Sequence, residues 1–139
     1  MNYPLVLADT GAIYALLDKT DKHHEEATAF YHDFSESTYI VIEYVIVELM
    51  TLLRRRGFTR IAVKFREELE ASQAWRFLPS SPEIERATFA VYRRFDDKAW
   101  SYTDCALLAV SRMLDDAPVF SFDHHIKQMG VMMLPVSMK

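Results

Sequence analysis

Short apolar runs alternate with longer amphipathic stretches along the whole chain, and this alternation leaves few folds open. Leu5-Val6-Leu7-Ala8, Thr38-Tyr39-Ile40-Val41-Ile42, Trp75-Arg76-Phe77-Leu78, Pro118 to Phe122 and Val131-Met132-Met133-Leu134 read as strands. Helical patterns fill the intervals: Thr10 to Leu17, His23 to Phe34, Tyr44 to Arg55, a segment capped by Thr59 and running to Ser72, one from Ser81-Pro82-Glu83 to Phe95, Ser101 to Leu114, and His124 to Met129. Gly57 and Gly130 close two of these helices. Strands separated by helices favour right-handed crossovers and a parallel sheet covered on both faces, so an α/β fold is expected. In such sheets ligands bind outside the carboxyl ends of the strands.

The 139 residues suit one domain, taken as 1–139, with a sizeable core. Three glycines and five prolines leave no room for low complexity or long linkers. No apolar run is long enough to span a membrane, and Met1-Asn2-Tyr3-Pro4 opens no signal peptide. The single cysteine, Cys105, excludes an internal disulfide and suits a reducing cytoplasm. Cys105, Met129, Met132 and Met133 are expected to be packing residues. Within Ser101 to Leu114, the inner side is expected to carry Ala106, Leu107, Ala109, Val110 and Met113.

The net charge of −4 does not announce a nucleic-acid binder, but the bases are unevenly placed. Arg54, Arg55, Arg56, Arg60, Lys64 and Arg66 are close in sequence, and Arg93, Arg94 and Lys98 form a second group. Local patches bind phosphate even when the overall sum is negative. A solvated helix face explains the same residues equally well.

Four acids carry the chemical interest. Asp9 closes the first strand and Asp123 the fourth, both at carboxyl ends. Asp104 opens the helix from Ser101, and Glu48 interrupts the apolar Val45-Ile46-Val47-Glu48-Leu49-Met50. Asp9 and Asp123 also fit as helix N-caps, and Ser101-Tyr102-Thr103-Asp104 fits a capping box. Glu48 has no such role. Its neighbours on the helix, Tyr44, Val45, Thr51 and Leu52, include no base, and a face shared with Val45 and Leu52 is expected to be buried. A buried carboxylate must be paired, protonated or bound to metal. Glu43, at the start of the same helix, fits a dipole role. If the four acids converge they need a cation, and an all-oxygen set selects Mg²⁺ or Mn²⁺ over Zn²⁺.

Asp9-Thr10 after an apolar strand, Val47-Glu48-Leu49, Ser101-Tyr102-Thr103-Asp104-Cys105-Ala106 and Ser121-Phe122-Asp123 together resemble the PIN domain, over about residues 4 to 135. The pattern is most similar to the VapC-type toxins of bacterial and archaeal toxin–antitoxin pairs. The resemblance implies a three-layer α/β/α sandwich around a central parallel sheet and a Mg²⁺- or Mn²⁺-dependent endoribonuclease. It implies that Asp9, Glu48, Asp104 and Asp123 form the acidic quartet. Thr10, Thr103 and Ser121 match hydroxyl positions that orient carboxylates or waters. A cognate antitoxin and a homodimer are further implications. Transfer, ribosomal and messenger RNA all remain open as substrates, with Arg54, Arg55, Arg56 and Arg60 as a candidate RNA track.

Two other readings stay beside this one: a PIN nuclease of RNA processing outside any toxin pair, and a non-catalytic PIN module that binds RNA or protein. Asp123-His124-His125 spells the DHH phosphoesterase signature, but the further N-terminal Asp motifs of those enzymes are missing. His23-His24 and His124-His125 lack zinc-site spacing and are expected at exposed helix starts, with His124 or His125 able to approach RNA. Asp96 and Asp97 are expected in a loop, with a peripheral role in holding metal-associated water as the alternative.

Overall fold

The computed structural model describes residues 3–136; Met1 and Asn2, from the segment read for a signal, and residues 137–139 of the expected domain lie outside the described residues. The strands are β1 (Leu5–Ala8), β2 (Thr38–Ile42), β3 (Trp75–Leu78), β4 (Val119–Phe120) and β5 (Met133–Leu134). All pair in parallel, in the order β3-β2-β1-β4-β5. The helices are α1 (Thr10–Leu17), α2 (His24–Asp33), α3 (Glu43–Arg55), α4 (Thr59–Ala71), α5 (Pro82–Arg94), α6 (Tyr102–Met113) and α7 (His124–Gln128).

β1 is central, and Val6, Leu7 and Ala8 have no exposed surface. A continuous apolar run, rather than an alternating one, is what a strand covered on both faces requires. The chain winds outward from β1 through β2 to β3, then returns past β1 to add β4 and β5. Right-handed crossovers place α1 to α4 over one face and α5 to α7 over the other. The helix pairs agree: α1 packs on α2 and α3, α3 on α4, α5 on α6, and α6 on α7. The result is the expected three-layer α/β/α sandwich.

Several local expectations need correction. β4 and β5 are two residues each, shorter than the apolar runs that contain them. The Ser121 amide still donates to Leu134 O of β5 at 3.0 Å, after which the chain turns into α7 at the carboxyl edge of the sheet. Met132 is 49% exposed and is not a core residue. In α6 every residue from Thr103 to Ser111 is buried, because sheet, α5 and α7 surround it, while Met113 lines an open groove with Ala87 and Ala90 of α5 and is 42% exposed.

Gly57 does end α3, through a two-bond arrangement. Its φ is 82°, its amide donates to Arg54 O at 3.1 Å, and the Phe58 amide donates to Leu53 O at 2.8 Å. These are the paired bonds of a Schellman ending. The arrangement leads directly into α4, so Phe58 is the N-cap residue without a side-chain bond and Thr59, expected as the cap, is already helical.

Replacing Gly57 by Ala should therefore destabilise the protein by about 1 kcal/mol, the cost of a Cβ in the left-handed region. Gly11→Ala, in a helix with open space around the added Cβ, should be neutral or stabilise by a few tenths of a kcal/mol. Urea unfolding midpoints of the two variants test the contrast, and equal shifts would contradict it.

Candidate active site

The strand order reverses between β1 and β4, and such reversals open a crevice at the carboxyl edge of a sheet. Asp9 and Ser121 stand at its two sides. The Asp9 amide continues the ladder, donating to Phe120 O at 2.9 Å. Ser121 Oγ then donates to Asp9 Oδ2 at 2.7 Å, and the Thr10 amide donates to Oδ1 at 2.8 Å. The Asp9 carboxylate is thus fixed from both sides at the head of α1, and Asp9 is only 7% exposed.

Asp104 enters from α6. Ser101 Oγ accepts from the Asp104 amide, and Asp104 Oδ2 accepts from the Ser101 amide, both at 3.0 Å, completing the expected capping box. Asp123 caps α7, with Oδ1 accepting from the His125 amide at 2.9 Å. Ser121 Oγ also accepts from the Asp123 amide at 3.0 Å, tying this loop to Asp9. All three capping readings are correct, and the three caps share one cleft.

Glu48 differs from expectation. It is exposed, although Val45 beside it is fully buried and Leu52 half-buried. Burial therefore does not force a partner on it. Its carboxylate leans into the cleft and is held at both oxygens, with Thr10 Oγ1 donating to Oε1 and Thr103 Oγ1 to Oε2, each at 2.8 Å. The three hydroxyl positions thus hold two of the four acids: Ser121 holds Asp9, and the two threonines hold Glu48. Glu43 stands in the first turn of α3, and its Oε1 accepts from the Ser80 amide at 3.1 Å.

All four acids line a cleft of about 500 Å³, with Tyr14, Asp21, His23, Arg56, Phe122 and His125 among the other lining residues. Burial pushes the Asp9 carboxyl up to about 6; hydrogen bonds from Ser121 and Thr10 oppose the rise, and the charges of Asp104 and Asp123 add to it. Burial likewise raises Asp104, with the Asp123 charge contributing. Carboxylates gathered this way resist ionising together, and a cation relieves the conflict.

His125 is a residue that sequence spacing did not place in the acid cluster. Its Nδ1 lies 3.5 Å from Asp104 Oδ2 and 3.6 Å from Asp123 Oδ1. Asp104, Asp123 and His125 offer ligand atoms that all lie within 4.8 Å of one another. The Asp-His-His run was a sequence signal, but only the turn of α7 over Asp104 reveals its use. Of the arginine group, only Arg56 lines the cleft; Arg54 and Arg55 line a separate groove with Met50, Thr59 and Val63, and Arg60 lines neither. Asp96 and Asp97 do not line the cleft, and Asp97 sits 3.7 Å from Lys98. Cys105 is buried as packing. His23 stacks on Phe122, and His24 Nδ1 is 2.7 Å from Ala15 O, so neither is merely a free helix-start residue.

An acid-lined crevice at the reversal of a parallel α/β/α sheet is the layout that the resemblance to PIN domains implies. The PIN domain model matches residues 6–132, so the chain belongs to the PIN domain family. Among solved structures it is similar to VapC20 of Mycobacterium tuberculosis, a sarcin-ricin loop cleaving toxin, with 23% identity, TM-score 0.82, and coverage of 91% of this chain and 95% of that one. It is also similar to FitAcB from Neisseria gonorrhoeae, with 17% identity, TM-score 0.68, and coverage of 92% and 95%. VapBC2 from Rickettsia felis bound to a promoter DNA fragment gives 10% identity, TM-score 0.67, and coverage of 93% and 96%. A comparison with curated proteins finds no match.

The raised Asp9 pKa fixes a sign for pH dependence. Folded at about 6 against an ordinary 3.8, Asp9 contributes stability that is complete below 3.8 and is lost as pH rises through 6. The loss is roughly 3 kcal/mol at most. With a chelator present, urea unfolding should show lower stability at pH 8 than at pH 4, and Asp9→Asn should remove the larger part of that difference. An unchanged pH dependence in Asp9→Asn would refute this assignment.

Proposed function

We propose that the chain is a divalent-metal-dependent endoribonuclease and the toxin of a toxin–antitoxin pair. The observation that carries this reading is the convergence of Asp9, Glu48, Asp104 and Asp123 on one cleft, with a hydroxyl on each carboxylate oxygen of Glu48. Four carboxylates with one partly covered imidazole form a hard, oxygen-rich donor set, which suits Mg²⁺ or Mn²⁺. When bound, such a cation neutralises charge on a phosphodiester and lowers the pKa of an attached water.

The roles of the chain's own residues follow. Asp9, Glu48, Asp104 and Asp123 hold the cation. Ser121, Thr10 and Thr103 fix the carboxylate orientations. Burial of Asp9 and Asp104 makes the cluster demand a cation, because the ionised set is costly without one. Attack by water in line with the departing 3′ oxygen would leave a 5′-phosphate and a 3′-hydroxyl. The similarity to proteins named as toxins and toxin–antitoxin complexes supports an antitoxin partner. Homodimerisation and a cytoplasmic location belong to the same reading, which treats residues 1–139 as one PIN domain. Among the described residues, no helix is long and apolar enough to cross a membrane.

Purified protein should cleave total RNA with Mg²⁺ or Mn²⁺ and not with chelator. Asp9→Asn and Asp104→Asn should each abolish that cleavage, and cleavage surviving in both would remove the site. A short antitoxin reading frame directly upstream and growth arrest on expression are expected. Absence of both would favour RNA processing over a toxin role.

Thr103→Val and Thr10→Val should each lower cleavage by about 10- to 100-fold, as loss of a carboxylate's supporting bond does around metals. The Thr→Ser variants should retain most activity. Equal losses in Val and Ser variants would assign the threonines a packing role instead.

A further inference from the structure

The cleft is also lined by residues outside the acidic quartet that the proposed chemistry leaves unused. They include Tyr14, Asp21, His23, Leu52, Arg56 and Phe122. Arg56 is the lone Lys or Arg among the cleft-lining residues, and its guanidinium lies 4.9 Å over the Tyr14 ring centroid. That ring is itself held: its edge meets Phe58 at 6.5 Å, and its hydroxyl donates to Asp18. The Schellman ending at Gly57 sets both Arg56 and Phe58, so one turn of backbone positions the cation and the packing of its platform.

His23 is the second element. Its ring is parallel to that of Phe122, with centroids 4.3 Å apart and planes 2° from parallel. Phe122 in turn packs edge-on against Phe120 of β4 at 6.1 Å. The loop that presents His23 is fastened repeatedly. Asp18 accepts from the Thr20 amide and hydroxyl at 2.9 and 2.7 Å, Asp21 accepts from the His23 amide at 3.0 Å, and His24 Nδ1 is 2.7 Å from Ala15 O. A half-buried imidazole on an aromatic column rooted in the sheet and a ring-supported guanidinium line the same cleft as the acids.

We propose that these residues form a nucleotide subsite: the His23–Phe122 stack takes one unpaired base, and Arg56 takes a backbone phosphate beside it. The inference rests on the nuclease reading and deepens it by assigning contacts for single-stranded RNA. Stacking is suited to an unpaired base, because every base offers a π-face. A guanidinium fixed on a ring face presents its donors to phosphate with little loss of side-chain freedom. The same geometry explains why Arg56, and not Arg54 or Arg55, belongs to the site: those two face a different groove.

The test uses a short fluorescein-labelled single-stranded oligoribonucleotide of mixed sequence, with Ca²⁺ as the cation, read by fluorescence anisotropy. A series with one abasic residue moved along the strand accompanies it. One abasic position should weaken binding to the wild-type protein by about tenfold. His23→Ala should weaken binding of the intact strand by a similar factor and add nothing on that abasic strand, while His23→Phe keeps the wild-type pattern. Arg56→Ala should weaken every strand alike and reduce the salt dependence by about one phosphate contact. Arg86→Ala, on the exposed side of α5, should do neither. Abasic strands that all bind like the intact one, or a His23→Ala loss that is the same on every strand, overturn the subsite and leave the stack as a loop fastener. Metal-dependent cleavage that needs Asp9 but ignores base removal overturns the subsite alone. Absence of both binding and cleavage overturns the subsite together with the nuclease reading.

Discussion

The pairing of β1 with β4 is the contact on which the rest depends. Leu7 registers with Val119 and Ala8 with Phe120, and the ladder runs on through the Asp9 amide. This joins segments more than a hundred residues apart and leaves their ends side by side where the strand order reverses. The 2.7 Å bond from Ser121 to Asp9 is its direct product. A one-residue slip would turn the side chains of one strand to the opposite face, separating that hydroxyl from that carboxylate. The fully buried Val6, Leu7, Val119 and Phe120 make such a slip costly. Core packing and site geometry are therefore specified by the same residues.

Capping and site building are not alternatives here. Asp9, Asp104 and Asp123 each accept amide bonds at the start of a helix. An ionised carboxylate has room for about four acceptor contacts, so one or two such bonds do not exhaust it. The bonds stabilise the charged form, and helix N-termini add partial positive charge. For Asp9 burial still outweighs these terms, since its pKa stands at about 6 despite two hydrogen bonds. The site is ordered by its caps yet remains electrostatically unsatisfied, the condition that favours a cation.

Much of this was legible in the sequence because strand ends and helix starts are local features. The apolar run before Asp9 and the Ser101-to-Asp104 box announce their backbone conformation, and the alternation of elements implies a parallel sheet with acids at its carboxyl edge. What was not legible depends on contacts between distant elements. Glu48 drew notice for a reason that does not hold: it is exposed, and what fixes it is a pair of threonines from α1 and α6, whose convergence no helical periodicity of α3 contains. Met113 looks like a core residue by spacing but lines an open groove between α5 and α6. The arginines between 54 and 60 look alike in the sequence, yet a Schellman turn sends Arg56 to the cleft and leaves Arg54 and Arg55 on another groove. His125 joins Asp104 only because α7 folds back over the start of α6.

Charge finally constrains how such a cleft can meet the RNA that the proposed function assigns to it. Its lining includes Asp9, Asp21, Glu48, Asp104 and Asp123 against one arginine. Without a cation, that surface repels a phosphodiester backbone. Affinity must then come from contacts that are not purely coulombic, together with the cation that the carboxylates would hold. An aromatic column and a ring-supported guanidinium supply contacts of that kind. They line the same cleft as the acids. Under the proposed nuclease function the acidic and aromatic residues of the cleft solve complementary parts of one problem: the acids call for a cation, and the aromatic stack gives the substrate a foothold that does not rely on bulk positive charge, consistent with a chain whose net charge is −4.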